Sequence, residues 1–194
     1  MVKQINTYLL EIDFPIENLL GSNKDWIINQ FYKDQDKSID SLNVLTPNND
    51  LTLPIIREFE EIVNQYFFNI PTYNNLFLQL KSNEGNVEAL YSRTKIYTYI
   101  QKNGYKEPVF HNHIHNSYLT SVTYLNIPKV GGEIGFFLGD HILKIKPKPN
   151  KIYFFPSWVY HAPYPHEDDI ERICLNIDYE SAIRISPKLG DNWW

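Results

Sequence analysis

The sequence predicts an α+β chain that is mostly β: a barrel or jelly-roll sandwich with N-terminal helices packed on the outer face of one sheet. Three observations carry this expectation. Up to about residue 75 the hydrophobic pattern is mainly helical. Beyond it, short runs rich in Ile, Tyr, Phe, Val and Thr alternate with turn clusters. The composition, 43% apolar and 15% aromatic over 194 residues, is globular and sufficient for one hydrophobic core.

The elements follow in order. "INTYLLEIDF" reads as a strand and "KDWIINQFYKD" as a short helix. In "DLTLPIIREFEEIVNQYFFNI", Ile55, Ile56, Phe59, Ile62, Val63, Tyr66 and Phe67 recur at helical spacing. Arg57, Glu60, Glu61 and Asn64 fall between them, so one face is buried, and Asp50 is placed to cap the start. Seven β runs come next: "LFLQLKS", "RTKIYTYIQ", "LTSVTYLNI", "GEIGFFL", "HILKIKP", "NKIYFFP" and "RICLNIDYE". "SNEG", "KNGYKEP", "PKVGG", "LGD" and "PKPN" are the turns. The expected organisation is a single domain over 1–194. Residues 1–75 form a helical support, 76–180 the β core and 181–194 a tail.

Bulk properties exclude several classes. A net charge of −5 gives no global reason to expect nucleic acid or an anionic membrane as partner. The single cysteine, Cys174, cannot form an intramolecular disulfide and fits a reducing compartment. "MVKQINTYLLEIDFPIENLL" has no long apolar core and carries Glu11 and Asp13, so no signal peptide is expected. No run reaches the ~18 apolar residues of a membrane span.

The chemistry concentrates in "HNHIHNSYLTSVTYLN". On an extended chain residues i and i+2 point to the same side, so His111 and His113 can converge on one atom, and so can His113 and His115. A third ligand candidate, His161, follows the buried run Ile152 to Phe155 in "KIYFFPSWVYHAPYP". An imidazole in such apolar company is costly to bury without a partner, and a divalent metal is one. Three histidines leave coordination positions open, which is the catalytic style of site. The lack of a cysteine pair excludes a zinc ribbon. His141, after Gly139-Asp140, and His166, in the acidic "YPHEDD", read as solvated.

In "RICLNIDY", Arg172, Cys174, Asn176 and Asp178 alternate with Ile173, Leu175, Ile177 and Tyr179. If the apolar set packs on the helices, Arg172 points into the barrel. A buried arginine needs an anion, and a ligand carboxylate is a suitable one. Tyr124 shares the inward face of its strand with Thr120, Val122 and Asn126 and is placed to help hold it. Trp158 and Tyr160 flank His161 and read equally as pocket wall or as barrel-rim packing. The lysines of "KIKPKPNK" (Lys144, Lys146, Lys148 and Lys151) read as a solvated hairpin guarding a sheet edge. Trp193 and Trp194 end the chain without a readable role.

Taken together, His-x-His, "YLN", "GGEI", "FPSWVYH" and "RICLNID" resemble, in order and spacing, the Fe(II)/2-oxoglutarate-dependent oxygenases. The likeness is greatest to the small prolyl-hydroxylase-like members of phages and bacteria, and it spans about residues 95–180. The resemblance implies a double-stranded β-helix. It implies iron on His111, His113 and His161, with 2-oxoglutarate held by Tyr124 and Arg172, and O2 as co-reactant. The reaction it implies is hydroxylation of a C–H bond in a peptidyl or small-molecule substrate. A cytoplasmic setting in a bacterial or phage-infected cell goes with it. One departure stands out: most members have Asp or Glu where this chain has His113. The distance from Gly104 to His111 matches the family's lead-in loop and favours His111/His113 over His113/His115.

Two rival readings remain open at the level of sequence. A cupin-type three-histidine metalloenzyme uses the same barrel, but "IHNS" lacks the expected glutamate. In "PSWVYH", Trp158 sits where a glycine belongs. The other rival is a non-catalytic binding protein on the same scaffold.

Overall fold

The computed structural model describes residues 2–6, 8–25, 28, 40–45, 53–63, 65, 90–104, 108–114, 117 and 119–183. Among the described residues ten strands run in chain order: β1 Val2–Asn6, β2 Leu9–Asp13, β3 Asp40–Leu45, β4 Leu90–Gln101, β5 Leu119–Asn126, β6 Ile134–Phe137, β7 Ile142–Ile145, β8 Lys151–Pro156, β9 His161–Pro163 and β10 Arg172–Ile183. Among the described residues two named α-helices precede the core, α1 Ile16–Leu20 and α2 Leu53–Ile62. The larger sheet has seven strands in the order β1-β2-β8-β5-β10-β4-β3, and the smaller has three in the order β7-β6-β9. Every strand pairing is antiparallel.

Period-two alternation sorts the large sheet's side chains into two layers. Leu10, Ile12, Ile96, Ile100, Leu119, Leu125, Ile152, Phe154, Ile173, Leu175 and Ile177 turn outward to meet the helices. They pack with Phe14, Ile16, Leu20, Ile55, Phe59, Ile62 and Val63. Val122, Tyr124, Tyr153, Phe155 and Cys174 turn inward and meet Ile134 and Phe136 of the small sheet. β5 therefore has no solvent face, and seven of its eight residues are buried. Phe59 stacks on Phe154 with ring centroids 5.4 Å apart and is fully buried. Burial of a side chain of this size stabilises the fold by about 1.5–3 kcal/mol.

The structure agrees with the α+β, mostly β expectation and changes several details. "INTYLLEIDF" is not one strand but parts of β1 and β2, which form a hairpin with a register shift between Gln4 and Asn6. The region up to residue 75 is not purely helical, because β3 pairs there with β4 over Asp40↔Gln101 to Leu45↔Ile96. A 3-10 turn, Gly21–Asn23, follows α1. The expected strand "LFLQLKS", most of the helix "KDWIINQFYKD", the Asp50 cap and the 184–194 tail lie outside the described residues.

The lysine-rich segment is tied down rather than simply solvated. Lys148 bonds Glu11 at 2.9 Å, Lys151 pairs with Asp13, Lys146 donates to the Gly131 carbonyl, and Lys144 lies 3.9 Å over the Tyr164 ring. Among the described residues no helix is long and apolar enough to cross a membrane.

Candidate metal centre

The site is built at the open end of the small sheet. His111 lies just outside the named strands. It forms an antiparallel bridge to His161, the first residue of β9, with reciprocal backbone bonds of 3.0 and 2.9 Å. This bridge extends the small sheet by one position and sets the two imidazoles side by side, 4.4 Å between ring centroids. The His113 amide donates to the Ser157 carbonyl at 2.8 Å, which fixes the second residue of the pair against the end of β8. A buried hydroxyl cluster stands behind this loop. Ser117 Oγ lies 2.7 Å from Ser157 Oγ, and Thr120 lies 3.2 Å from the same oxygen.

The result is convergence. One ring nitrogen from each of His111, His113 and His161 lies within 4.8 Å of the other two. His115, the other candidate for the pair, is outside the described residues.

The remaining ring nitrogens settle which atoms face inward. His111 Nδ1 lies 3.2 Å from the Val109 carbonyl, and His161 Nδ1 lies 3.1 Å from the Val159 carbonyl. A carbonyl only accepts, so Nδ1 carries the hydrogen in both rings. His113 Nδ1 lies 2.9 Å from Asp178 Oδ2, again an acceptor. With Nδ1 so engaged in all three rings, Nε2 is the nitrogen left to face a metal, the arrangement of metal-ligating histidines oriented by outer partners.

Electrostatics favours the unprotonated forms of His161 and His111. Burial, followed by the neighbouring imidazoles, holds the His161 pKa well below the ordinary histidine value. His111 stands at the mouth, exposed by area but crowded by protein on its inner side. That desolvation lowers its pKa against the opposing pull of the Val109 carbonyl. At neutral pH the His161 and His111 lone pairs are available.

Deeper in the barrel lies a buried cation. Arg172 opens β10 at 2% exposure, and its Nη2 donates to the Tyr124 hydroxyl at 2.9 Å. Its guanidinium carbon lies 4.9 Å from the centroid of the same ring. Burial, opposed by the adjacent guanidinium, pushes the Tyr124 pKa up to about 12, so this partner is a neutral hydroxyl. Arg172 Nε has no hydrogen-bond partner, and no carboxylate pairs with the guanidinium among the described residues. A buried cation with a neutral partner and an idle donor is set up to accept an anion.

The predicted site residues are therefore accounted for individually. His111, His113 and His161 come together, and Tyr124 and Arg172 bond each other inside the same barrel. Trp158 and Tyr160 are exposed at 43% and 49% on either side of Val159, and Trp158 packs edge-on against Tyr8. His141 is exposed, with Asp140 at 2.6 Å, as expected.

His166 is a correction. It is not solvated but 3% exposed, with Nε2 2.9 Å from the Gln101 carbonyl. Its backbone bridges Gly131, where a Cβ would meet Pro165 O at 2.5 Å. The glycine permits that close approach and so permits the burial. The sequence reading also missed Asp178 and Tyr97 as partners of His113. Their places were readable, since Asp178 shares the inward face of β10 with Arg172.

No protein-family profile matches the sequence, and no curated protein does. Solved structures do match. A viral collagen prolyl hydroxylase from Paramecium Bursaria Chlorella virus-1 aligns at TM-score 0.60 and 19% identity, covering 91% of each chain. The same enzyme in its 2-oxoglutarate complex aligns at 0.54 and 17%, covering 91% of this chain and 97% of that one. A Pseudomonas putida prolyl-4-hydroxylase aligns at 0.59 and 16%, covering 90% and 92%. A Trichoplax adhaerens prolyl hydroxylase, in complex with a hypoxia inducible factor degradation-domain peptide, aligns at 0.52 and 15%, covering 90% and 84%. These likenesses identify the fold: the chain is a double-stranded β-helix of the kind found in the prolyl hydroxylases.

Proposed function

We propose that the protein is a non-haem Fe(II)- and 2-oxoglutarate-dependent dioxygenase that hydroxylates a C–H bond. The observation that carries this reading is the convergence of three imidazole nitrogens beside a buried arginine that has no carboxylate partner among the described residues. The residues fit the groups the reading requires. Three nitrogen donors with open positions suit ferrous iron, and Arg172 with Tyr124 suits the distal carboxylate of a dicarboxylic oxoacid. Support also comes from the viral enzyme, whose fold is shared and which has been captured with 2-oxoglutarate.

His111, His113 and His161 would hold the metal, and Arg172 and Tyr124 would hold the oxoacid. Bound iron, with 2-oxoglutarate and O2, supplies the oxidising chemistry that couples decarboxylation of the oxoacid to oxygen insertion. The protein's own residues do the rest. The carbonyls of Val109 and Val159 and the carboxylate of Asp178 fix the ring tautomers. The Arg172 guanidinium orients the oxoacid along the barrel. Phe136 and Phe155 pack against His161, at 6.4 and 4.6 Å between ring centroids, and keep its inner face dry.

The substrate enters over the exposed side of the triad, where Val109, Tyr160 and Trp158 are uncovered. A peptidyl substrate fits that open rim and agrees with the peptide captured on the Trichoplax enzyme. A small molecule is the second substrate class that the site accommodates.

The test is release of succinate from 2-oxoglutarate by the iron-loaded protein in air. The proposal expects release that needs both iron and 2-oxoglutarate and is lost in His161→Ala. Metal binding without any 2-oxoglutarate consumption, even across a peptide and metabolite panel, would refute it and leave a three-histidine enzyme of the cupin type or a binding protein.

A further inference from the structure

We propose that Asp178, steadied by Tyr97, is the positioning carboxylate of the metal site. Through His113 it supplies the negative charge that three imidazoles leave out of the ligand set. This inference rests on reading the triad as a divalent-metal site.

Geometry comes first. Asp178 Oδ2 accepts from His113 Nδ1 at 2.9 Å and from the Tyr97 hydroxyl at 3.1 Å. The same hydroxyl lies 3.2 Å from His113 Nδ1, so the three groups close a triangle. The Tyr97 ring also lies along the His113 imidazole, 6.4 Å between centroids and 22° between planes. His113 is thus held in direction by one partner and in tilt by the other. Among the described residues the other two histidines have backbone carbonyls as their Nδ1 partners.

Charge comes second. Asp178 is 2% exposed, and its Oδ1 has no hydrogen-bond partner. Among the described side chains no lysine or arginine pairs with it; its ion-pair partner is His113. A carboxylate so buried needs a positive charge nearby. A dication on His113 Nε2, across one imidazole ring, provides it. Three neutral imidazoles would otherwise leave that dication's charge unanswered. The carboxylate and the metal each lack what the other supplies, and His113 is the bridge. Hydrogen bonding to the carboxylate also makes the imidazole a stronger donor at its far nitrogen.

The test is anaerobic titration of the metal-free protein with Mn(II) and Co(II), followed by calorimetry and, for Co(II), by visible absorption. Asp178→Asn is expected to weaken binding about 10–100-fold. Tyr97→Phe should move it the same way by less. Neither should lower the thermal midpoint of the metal-free protein by more than a few degrees. The second arm uses His113→Asp, which puts a carboxylate directly into the ligand set. In that background Asp178 faces a like charge, so adding Asp178→Asn should leave affinity unchanged or raise it.

A reversal of this kind belongs to charge supply and not to general support of the fold. Equal affinity of native protein and Asp178→Asn would overturn the inference while leaving the metal site standing. So would the same loss in both backgrounds. If the native protein bound neither metal, the site itself would be lost, and this inference with it.

Discussion

At the scale of single residues, His161 and Arg172 carry opposite expectations for stability and binding. His161 is 7% exposed, and its Nε2 faces its two companions without a proton. His161→Ala should abolish tight divalent-metal binding in a titration, because it leaves only two of the three convergent imidazoles to hold the ion. Arg172 is a buried cation whose hydrogen-bond partner among the described residues is the Tyr124 phenol. Arg172→Leu removes an uncompensated charge, so the metal-free protein should keep or gain thermal stability. Its affinity for 2-oxoglutarate should fall by about 2–5 kcal/mol, roughly 30-fold or more. Calorimetry on the Mn(II)-loaded protein separates the two effects. If Arg172→Leu bound the oxoacid as the native protein does, the carboxylate would have to sit elsewhere.

Which residues were readable from sequence follows from range. His111 and His113 sit two apart, so extended geometry alone brings them to one side. Arg172 was readable because the apolar Ile173, Leu175 and Ile177 fix which face of the strand is outward. The burial of His166 was not readable. It depends on Gly131 meeting the backbone at Pro165 and His166, a contact between segments far apart in sequence. Local composition around His166, rich in acids, pointed the wrong way.

At the scale of elements, β10 does the most. It pairs with β4 along its whole length and with β5 from Ile173 to Tyr179. Its outward residues seal against the helices, while its inward row runs from Arg172 at one end to Asp178, against His113, at the other. One strand thus joins the anion-holding end of the barrel to the metal end.

The helix that covers this strand is equally specific. Phe59→Ala on α2 should cost about 3–5 kcal/mol in denaturant unfolding, since it empties a fully enclosed space against Phe154. A loss under 1 kcal/mol would mean that α2 does not pack on the sheet as described. The helix was legible because its apolar spacing is strong. β3 was not, because "DSLNVL" is short and only half apolar and becomes a strand by pairing at the sheet edge next to β4.

At the scale of the whole molecule, the two sheets close a barrel whose metal end is finished by the bridge from His111 to His161. The fold brings together residues far apart in the chain, and the catalytic geometry is a consequence of that closure. The surface histidine His141 lies outside it, and His141→Ala should leave metal affinity and succinate release unchanged.

The most direct measurement is a crystal structure of the protein with Mn(II) and N-oxalylglycine, the unreactive analogue of 2-oxoglutarate. The account predicts one metal bound directly by the Nε2 atoms of His111, His113 and His161. It predicts the analogue's distal carboxylate on Arg172 and the Tyr124 hydroxyl. A metal bound without His161, or a carboxylate turned away from Arg172, would contradict it.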